Sequence, residues 1–142
     1  MKSAQYWIDH LQLKPHPEGG FFREMYRSNE IIPKNALPVR YTGDRNFSTS
    51  IYFLLRSEDI SAFHKITSDE LWFFHAGSSV DVHIIADKEV SVIRFGINLE
   101  HGEVPQGTIP KNCWFGAKVT KPNSYALVSC TVAPGFDFED FE

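Results

Sequence analysis

His64 and Glu70, six positions apart in HKITSDELWFFHAG (64–77), are the residues whose types and spacing best suit chemistry. In DELWFFHAG the two-residue period of a strand puts Glu70, Trp72 and Phe74 on one face and Leu71, Phe73 and His75 on the other. In ISAFHKI it groups Ile60, Ala62, His64 and Ile66. Two strands joined by the short KITSD link can bring His64 opposite Glu70 in a pocket walled by Ile66, Trp72 and Phe74. An unpartnered polar group is costly against such a wall, and an imidazole with a carboxyl can move a proton near neutral pH. A satisfied core histidine or a solvated hairpin fits the same spacing.

Other residues offer recognition rather than chemistry. In HPEGG (16–20), Pro17 restricts His16 to an extended geometry, and Gly19-Gly20 permits a tight bend or close approach to a ligand. Glu18 falls just before that bend, at a cavity mouth or in a solvated turn. In the following strand, FFREMYR, strict alternation sets Phe22, Glu24 and Tyr26 against Phe21, Arg23, Met25 and Arg27. Arg23 or Arg27 can fork onto a carboxylate or phosphate, or pair with an acidic neighbour. Tyr26 and Tyr52 can hydrogen-bond a hydroxylated ligand or act as an acid, or serve in the wall. Trp72 and Trp114 can stack on a sugar or base, or simply pack. The tail FDFEDFE reads as a lid or interface segment.

The elements that must position these residues are mostly strands. Residues 3–13 have near-helical spacing of apolar side chains, with Ser3 as N-cap and Pro15 and Pro17 as stops. GGFFREMYRS, STSIYFLL, ISAFHKI, DELWFFHAG, SVDVHIIA, VSVIRFGI and YALVSCTVA are short strand-like runs between turn residues, with a turn-rich piece around VPQGTIPKNCWFGAKV. That spacing points to an antiparallel sandwich or barrel rather than to βαβ units. The 142 residues suffice for one domain spanning 1–142 with a real core, and 12 phenylalanines suit a barrel interior or a subunit interface. A net charge of −4 gives no footprint for nucleic acid. No run is long enough to span a membrane and no signal-peptide core opens the chain. With only Cys113 and Cys130, a reduced, cytoplasmic protein is expected.

The stretch from His64 to Gly77 resembles the first motif of the cupin superfamily: histidine, any residue, histidine, three or four residues, glutamate, six residues, glycine. His64, Glu70 and Gly77 match in register, while Ile66 stands at the second histidine. IPKNCWFG resembles a degenerate second motif, with Pro110 as the proline, Asn112 at the turn glycine and Phe115 at the last metal-binding histidine. HPEGGFFREMYRS, STSIYFLL, SAFHKITSDELWFFHAG and VAPGFDFEDFE together are similar to the small cupins of the DUF985 (cupin_5) family, of uncharacterised function, over almost the whole chain. The resemblance implies an all-β jelly-roll β-barrel with a short N-terminal helix, commonly dimeric and related in fold to RmlC-like sugar-nucleotide epimerases. With Ile66 and Phe115 lacking ligand atoms, it implies no resident metal; any metal would rest on His64 and Glu70.

Three classes of function follow. The first is an isomerase or epimerase of a sugar or sugar-nucleotide-like compound, with His64, Glu70 and Tyr52 catalytic. Around them His16, Glu18, Arg23, Glu24, Tyr26, Trp72 and Phe115 would bind the ligand. The second is a non-catalytic binding protein for a small anionic or sugar-like molecule. The third is a metal-dependent cupin oxygenase or isomerase. The expected partners are a small-molecule ligand and a second copy of the chain, with no cofactor, nucleic acid or membrane.

Overall fold

The computed structural model describes residues 1–142. Helix α1 spans Ala4–Leu11, opened by Ser3, whose Oγ accepts from the Tyr6 N–H at 3.1 Å, and closed by Gln12 in the left-handed conformation. Twelve strands follow: β1 Lys14–Pro15, β2 Phe21–Arg27, β3 Ile31–Ile32, β4 Arg45–Asn46, β5 Thr49–Arg56, β6 Ser61–His64, β7 Glu70–Gly77, β8 Val80–Ala86, β9 Glu89–Phe95, β10 Gln106–Ile109, β11 Trp114–Val119 and β12 Tyr125–Val132. The stretch expected to be turn-rich around 104–119 supplies β10 and β11, which join different sheets. No helix is long and apolar enough to cross a membrane.

The strands form a six-stranded sheet in the order β1-β2-β5-β12-β7-β10, a four-stranded sheet in the order β6-β11-β8-β9, and a β3-β4 ribbon. Every ladder is antiparallel. The closed β-barrel expected from the resemblance is therefore corrected. Neither large sheet closes on itself: β1 and β10 are the end strands of one, β6 and β9 of the other. Short alternating strands look the same in a sandwich and in a barrel; closure depends on which edges pair, and that is not written in the alternation.

The main core lies between the sheets, with Phe53, Leu55, Trp72, Val128 and Cys130 from the large sheet and Val80, Val82, Ile84, Phe115 and Val119 from the small one. A second cluster of Leu13, Leu54, Tyr125 and Leu127 packs against the helix residues Trp7, Ile8 and Leu11. The unbroken run Phe53-Leu54-Leu55 is thus apolar because both faces of β5 are covered at that point. One end of the space between the sheets remains open. It forms a cavity of about 430 Å³, whose lining includes His16, Glu24, Arg27, His64, Glu70 and the tail phenylalanines.

Candidate functional site

His16 is placed by its own turn. Its N–H donates to the Gly20 carbonyl at 2.8 Å and its carbonyl accepts from Gly19 N–H at 3.1 Å. Gly19 has φ +109°, and a Cβ there would meet the Ile60 carbonyl oxygen at 2.3 Å, so the bend requires glycine. The Ala62 N–H donates to the Glu18 carbonyl at 3.1 Å and ties this turn to β6. The backbone N–H of Glu18 donates to His16 Nδ1 at 3.0 Å. An Nδ1 that accepts carries no proton, so neutral His16 holds its proton on Nε2. Burial pushes this imidazole down from its ordinary value, nearby His64 pushes it further, and Glu18 opposes both.

His64 has the opposite arrangement. Its Nδ1 lies 2.7 Å from the Ala62 carbonyl oxygen, which can only accept. Nδ1 therefore donates, and in the neutral ring Nε2 keeps a free lone pair. The ring lies between Phe115, at 4.2 Å between centroids, and Phe141, stacked at 5.3 Å and 19°. Burial lowers its pKa, against the pull of the Ala62 carbonyl and Glu18. Near neutral pH the two imidazoles are thus uncharged, one presenting N–H and the other a lone pair in the same cavity.

Glu70 and His64 line the same cavity from different sheets, since β6 and β7 are not neighbours, and so do not form a hairpin pair. The Glu70 carboxylate accepts from Trp72 Nε1–H and from the Cys130 thiol, yet burial dominates and pushes it up to about 7. Burial and the adjoining Glu70 carboxylate push the Cys130 thiol well up, so it stays protonated and donates. A carboxyl with a raised pKa holds its proton more tightly folded than unfolded. Its contribution to stability is present below about 4.5 and is lost as pH rises to about 7. Glu70→Gln keeps an acceptor for Trp72 and removes the ionisation. It should leave stability at pH 4.5 nearly unchanged and raise it at pH 8 by up to about 3 kcal/mol. Urea titration at the two pH values, taken as the difference from wild type, checks this, because the depressed histidines contribute equally to both proteins.

Two bulges redistribute the residues that strict alternation had grouped. Between Glu24↔Ile51 and Tyr26↔Ser50 the ladder skips Met25. Phe22, Glu24 and Arg27 therefore face the cavity, while Tyr26 points away and is 54% exposed. Opposite β11, β6 carries an extra residue between Ser61↔Ala117 and His64↔Phe115, so exposed Ala62 leaves the face of His64 and buried Ser61 joins it. Arg27 donates to both oxygens of Glu24 at 2.7 and 3.3 Å, to Asn46 Oδ1 at 2.7 Å and to the Phe136 carbonyl at 3.0 Å.

Of the other residues singled out in the sequence, Trp72 lies buried beneath Glu70 and Phe115 lies buried against His64. Tyr52 and Arg23 are on the helix side of the large sheet, Tyr52 beside His75 and Arg23 donating to the Leu11 carbonyl at 3.2 Å. Glu18 does not line the cavity and acts on both histidines from outside it. Trp114 is outward, with Lys65 Nζ 5.1 Å from its ring centre. Lys14, Thr49, Ile51, Cys130 and Asp137 line the cavity and were not singled out. The alternation of SCTV around Cys130 with Val132 was the available signal for one of them.

The tail closes over this group. Phe136, Phe138 and Phe141 line the cavity. The last residue, Glu142, exchanges backbone hydrogen bonds with Lys65 at 2.9 and 3.0 Å, and its carboxylate meets Lys65 Nζ at 2.8 Å. Asp140 receives two hydrogen bonds from Arg45, at 2.8 and 2.7 Å, with both side chains buried.

The donors do not fit the metal centre that the fold family implies. Ile66 and Phe115, at two of the implied ligand positions, are 4% and 2% exposed, and no three His, Cys, Asp or Glu side chains gather to hold an ion.

The family model described as "Cupin superfamily (DUF985)" matches residues 5–142. An uncharacterised protein of Saccharomyces cerevisiae is 34% identical over 97% of this chain and 73% of its own length. A hypothetical protein from Leishmania major superposes with TM-score 0.89 at 35% identity, covering 99% of this chain and 86% of that one. A protein from Shewanella oneidensis superposes with TM-score 0.86 at 40% identity, covering 100% and 84%. Oxalate decarboxylase from Bacillus subtilis, at 15% identity and TM-score 0.60 over 90% of this chain and 28% of that one, is similar in fold alone.

Proposed function

For this chain, which belongs to the DUF985 family of the cupin superfamily, we propose proton-transfer catalysis at the carbon beside a carbonyl, as an isomerase or epimerase of a small hydroxylated, sugar-like compound. The observation that carries it is the pair of opposite tautomers in one cavity: His64 Nε2 with a free lone pair, His16 Nε2 with a proton. His64 takes the proton from carbon. His16 donates a hydrogen bond to the carbonyl oxygen as negative charge develops there and keeps its own proton, while protonated His64 returns the abstracted proton to the same carbon or to its neighbour. Glu70, near half-protonated at neutral pH, accepts or supplies the second proton that an isomerisation moves between oxygens. The apolar walls of Ile51, Ile66, Val132 and the tail phenylalanines keep water scarce around the reacting atoms.

The test is incubation of the protein with simple hydroxy-ketones and aldoses in deuterated water, followed by proton NMR. Deuterium should enter the carbon beside the carbonyl faster than in buffer. The acid limb of the rate should lie below the ordinary imidazole value of 6.5, because burial lowers the pKa of His64. Ligand retention without exchange across such compounds would replace catalysis with binding.

The reading places the protein in the cytoplasm and includes a second copy of the chain. On the outer face of the four-stranded sheet, Trp114 pairs with Ile85 and Ile85 with Val90, while Val92 and Phe63 stand close by around His83 and Gly116. Ile85, Val90, Val92, Trp114 and Phe63 are all exposed, a patch of the kind that subunit pairing covers. Light scattering should return twice the 16.2 kDa of one chain. A mass of one chain across micromolar concentrations would exclude the pairing.

A further inference from the structure

We propose that the cavity recognises an anionic group on its ligand, a carboxylate or phosphate, through Lys14 acting together with His16. Both lie on the β1 side of the cavity, two residues apart, and both flank Phe22. Lys14 Nζ is 5.5 Å from the ring centre of Phe22, and the His16 ring is 4.9 Å from it. Lys14 has no carboxylate within ion-pair distance anywhere in the chain. The Nε2–H of His16 has no protein acceptor, since the one hydrogen bond made by this ring is to Nδ1. Two donors, one of them a full cation, therefore face the same space without partners.

The other charges lining the cavity are accounted for differently. Arg27 is held by Glu24, Asn46 and the Phe136 carbonyl, which neutralises Glu24 and leaves Arg27 little freedom to grip a ligand. Glu70 is pushed up to about 7 and so is near half-neutral. Asp137 belongs to the tail, where its Oδ1 accepts from the Glu139 N–H at 2.9 Å. Lys14 is thus the cation in the lining that no side chain neutralises. A strongly hydrated ammonium on a flexible stem suits either a carboxylate or a phosphate as a point charge, and the choice between them is left to experiment. This deepens the proton-transfer reading by naming the charged end of its substrate. Binding of that end does not require turnover.

The experiment compares three compounds sharing the HOCH2–C(=O)– unit: neutral dihydroxyacetone, dihydroxyacetone phosphate and hydroxypyruvate. Each is titrated into wild type and Lys14→Gln, with the histidine Hε1 resonances and tryptophan fluorescence as readouts. At least one anionic compound should bind wild type more tightly than dihydroxyacetone. Lys14→Gln should weaken that compound by ~5-fold, the upper end for an exposed charge pair, and leave dihydroxyacetone unchanged. Which anion gains decides between phosphate and carboxylate. Equal binding of all three, or equal weakening of all three by the substitution, overturns the anion site while leaving proton transfer standing. Anion binding that depends on Lys14 but brings no deuterium exchange in any compound upholds the site and removes the catalytic reading instead. No binding of any of the three overturns both.

Discussion

Replacing His64 by glutamine should slow deuterium entry by ~100-fold or more, with the fold intact. Glutamine fills a similar volume, and the Ala62 carbonyl that now receives His64 Nδ1–H belongs to an exposed residue, where water can take its place. What it lacks is a basic lone pair, so it can neither take a proton from carbon nor return one. His16→Gln should cost less. The hydrogen bond that His16 supplies comes from Nε2, and the amide nitrogen of glutamine reaches about as far as that atom. It can polarise a carbonyl oxygen without transferring a proton to it. The asymmetry between the two substitutions checks the roles as well as the site. Equal losses would mean that the tautomers fixed by the Glu18 N–H and the Ala62 carbonyl are irrelevant to the rate. Unfolding curves and the chemical shifts of core methyl groups separate loss of function from loss of fold.

How much of this site could be read from the chain depends on what alternation encodes. His64 and Glu70 stood out because polar residues sit in strongly apolar strands, and both line the cavity. Glu24 also faced the way its strand parity indicated. Beyond Met25 the parity failed, because one extra residue in β2 carries Arg27 inward and Tyr26 outward. No residue type marks that bulge, since Met25 is neither glycine nor proline, and only the partner strand reveals the skip. The extra residue in β6 is hidden for the same reason. His16 was recognised through the odd composition of its turn, but its tautomer follows from a backbone N–H two residues on, which no spacing rule specifies. The open sandwich in place of a closed barrel has the same origin: edge pairing is set by register and twist between elements far apart in sequence. Tyr52 was misplaced by its chemistry. A tyrosine among Ile51 and Phe53 looks like a wall residue with a useful hydroxyl, yet its neighbours Thr49, Ile51 and Phe53 hold the inner face and turn it toward α1.

The tail is held by an interaction far stronger than its sequence suggests, and breaking it should be the most costly substitution for stability. Arg45→Met is expected to destabilise the protein by about 3 kcal/mol or more, because it strands the Asp140 carboxylate where water barely reaches it. In the intact protein that carboxylate is gripped at both oxygens, while the remaining guanidinium N–H groups donate to the Asp44 carbonyl at 2.7 Å and to Thr42 Oγ1 at 3.4 Å. The side chains of Arg45 and Asp140 are 2% and 4% exposed, so solvent screening offers little relief. Tyr41 covers the pair, with its hydroxyl 2.6 Å from Ser68 Oγ, which in turn donates to the Pro134 carbonyl at 3.1 Å at the start of the tail. Losing the pair should therefore loosen the segment from Pro134 to Asp140, leaving Phe141 held only by the Lys65–Glu142 backbone bonds beside it, and the ring that stacks on His64 should shift. Two readouts separate these effects. Urea unfolding reports the stability. The His64 Hε1 resonance, shifted by the Phe141 ring current, should move toward its exposed value in Arg45→Met and also in Phe141→Ala, which leaves the ion pair in place. Combining Arg45→Met with Asp140→Leu should recover more than half of the lost stability, since the cost comes from the unpaired charge rather than from the missing attraction. If the double variant is no more stable than Arg45→Met alone, then the pair holds the tail by its attraction and geometry, and burial of the lone carboxylate is not what the single substitution measures.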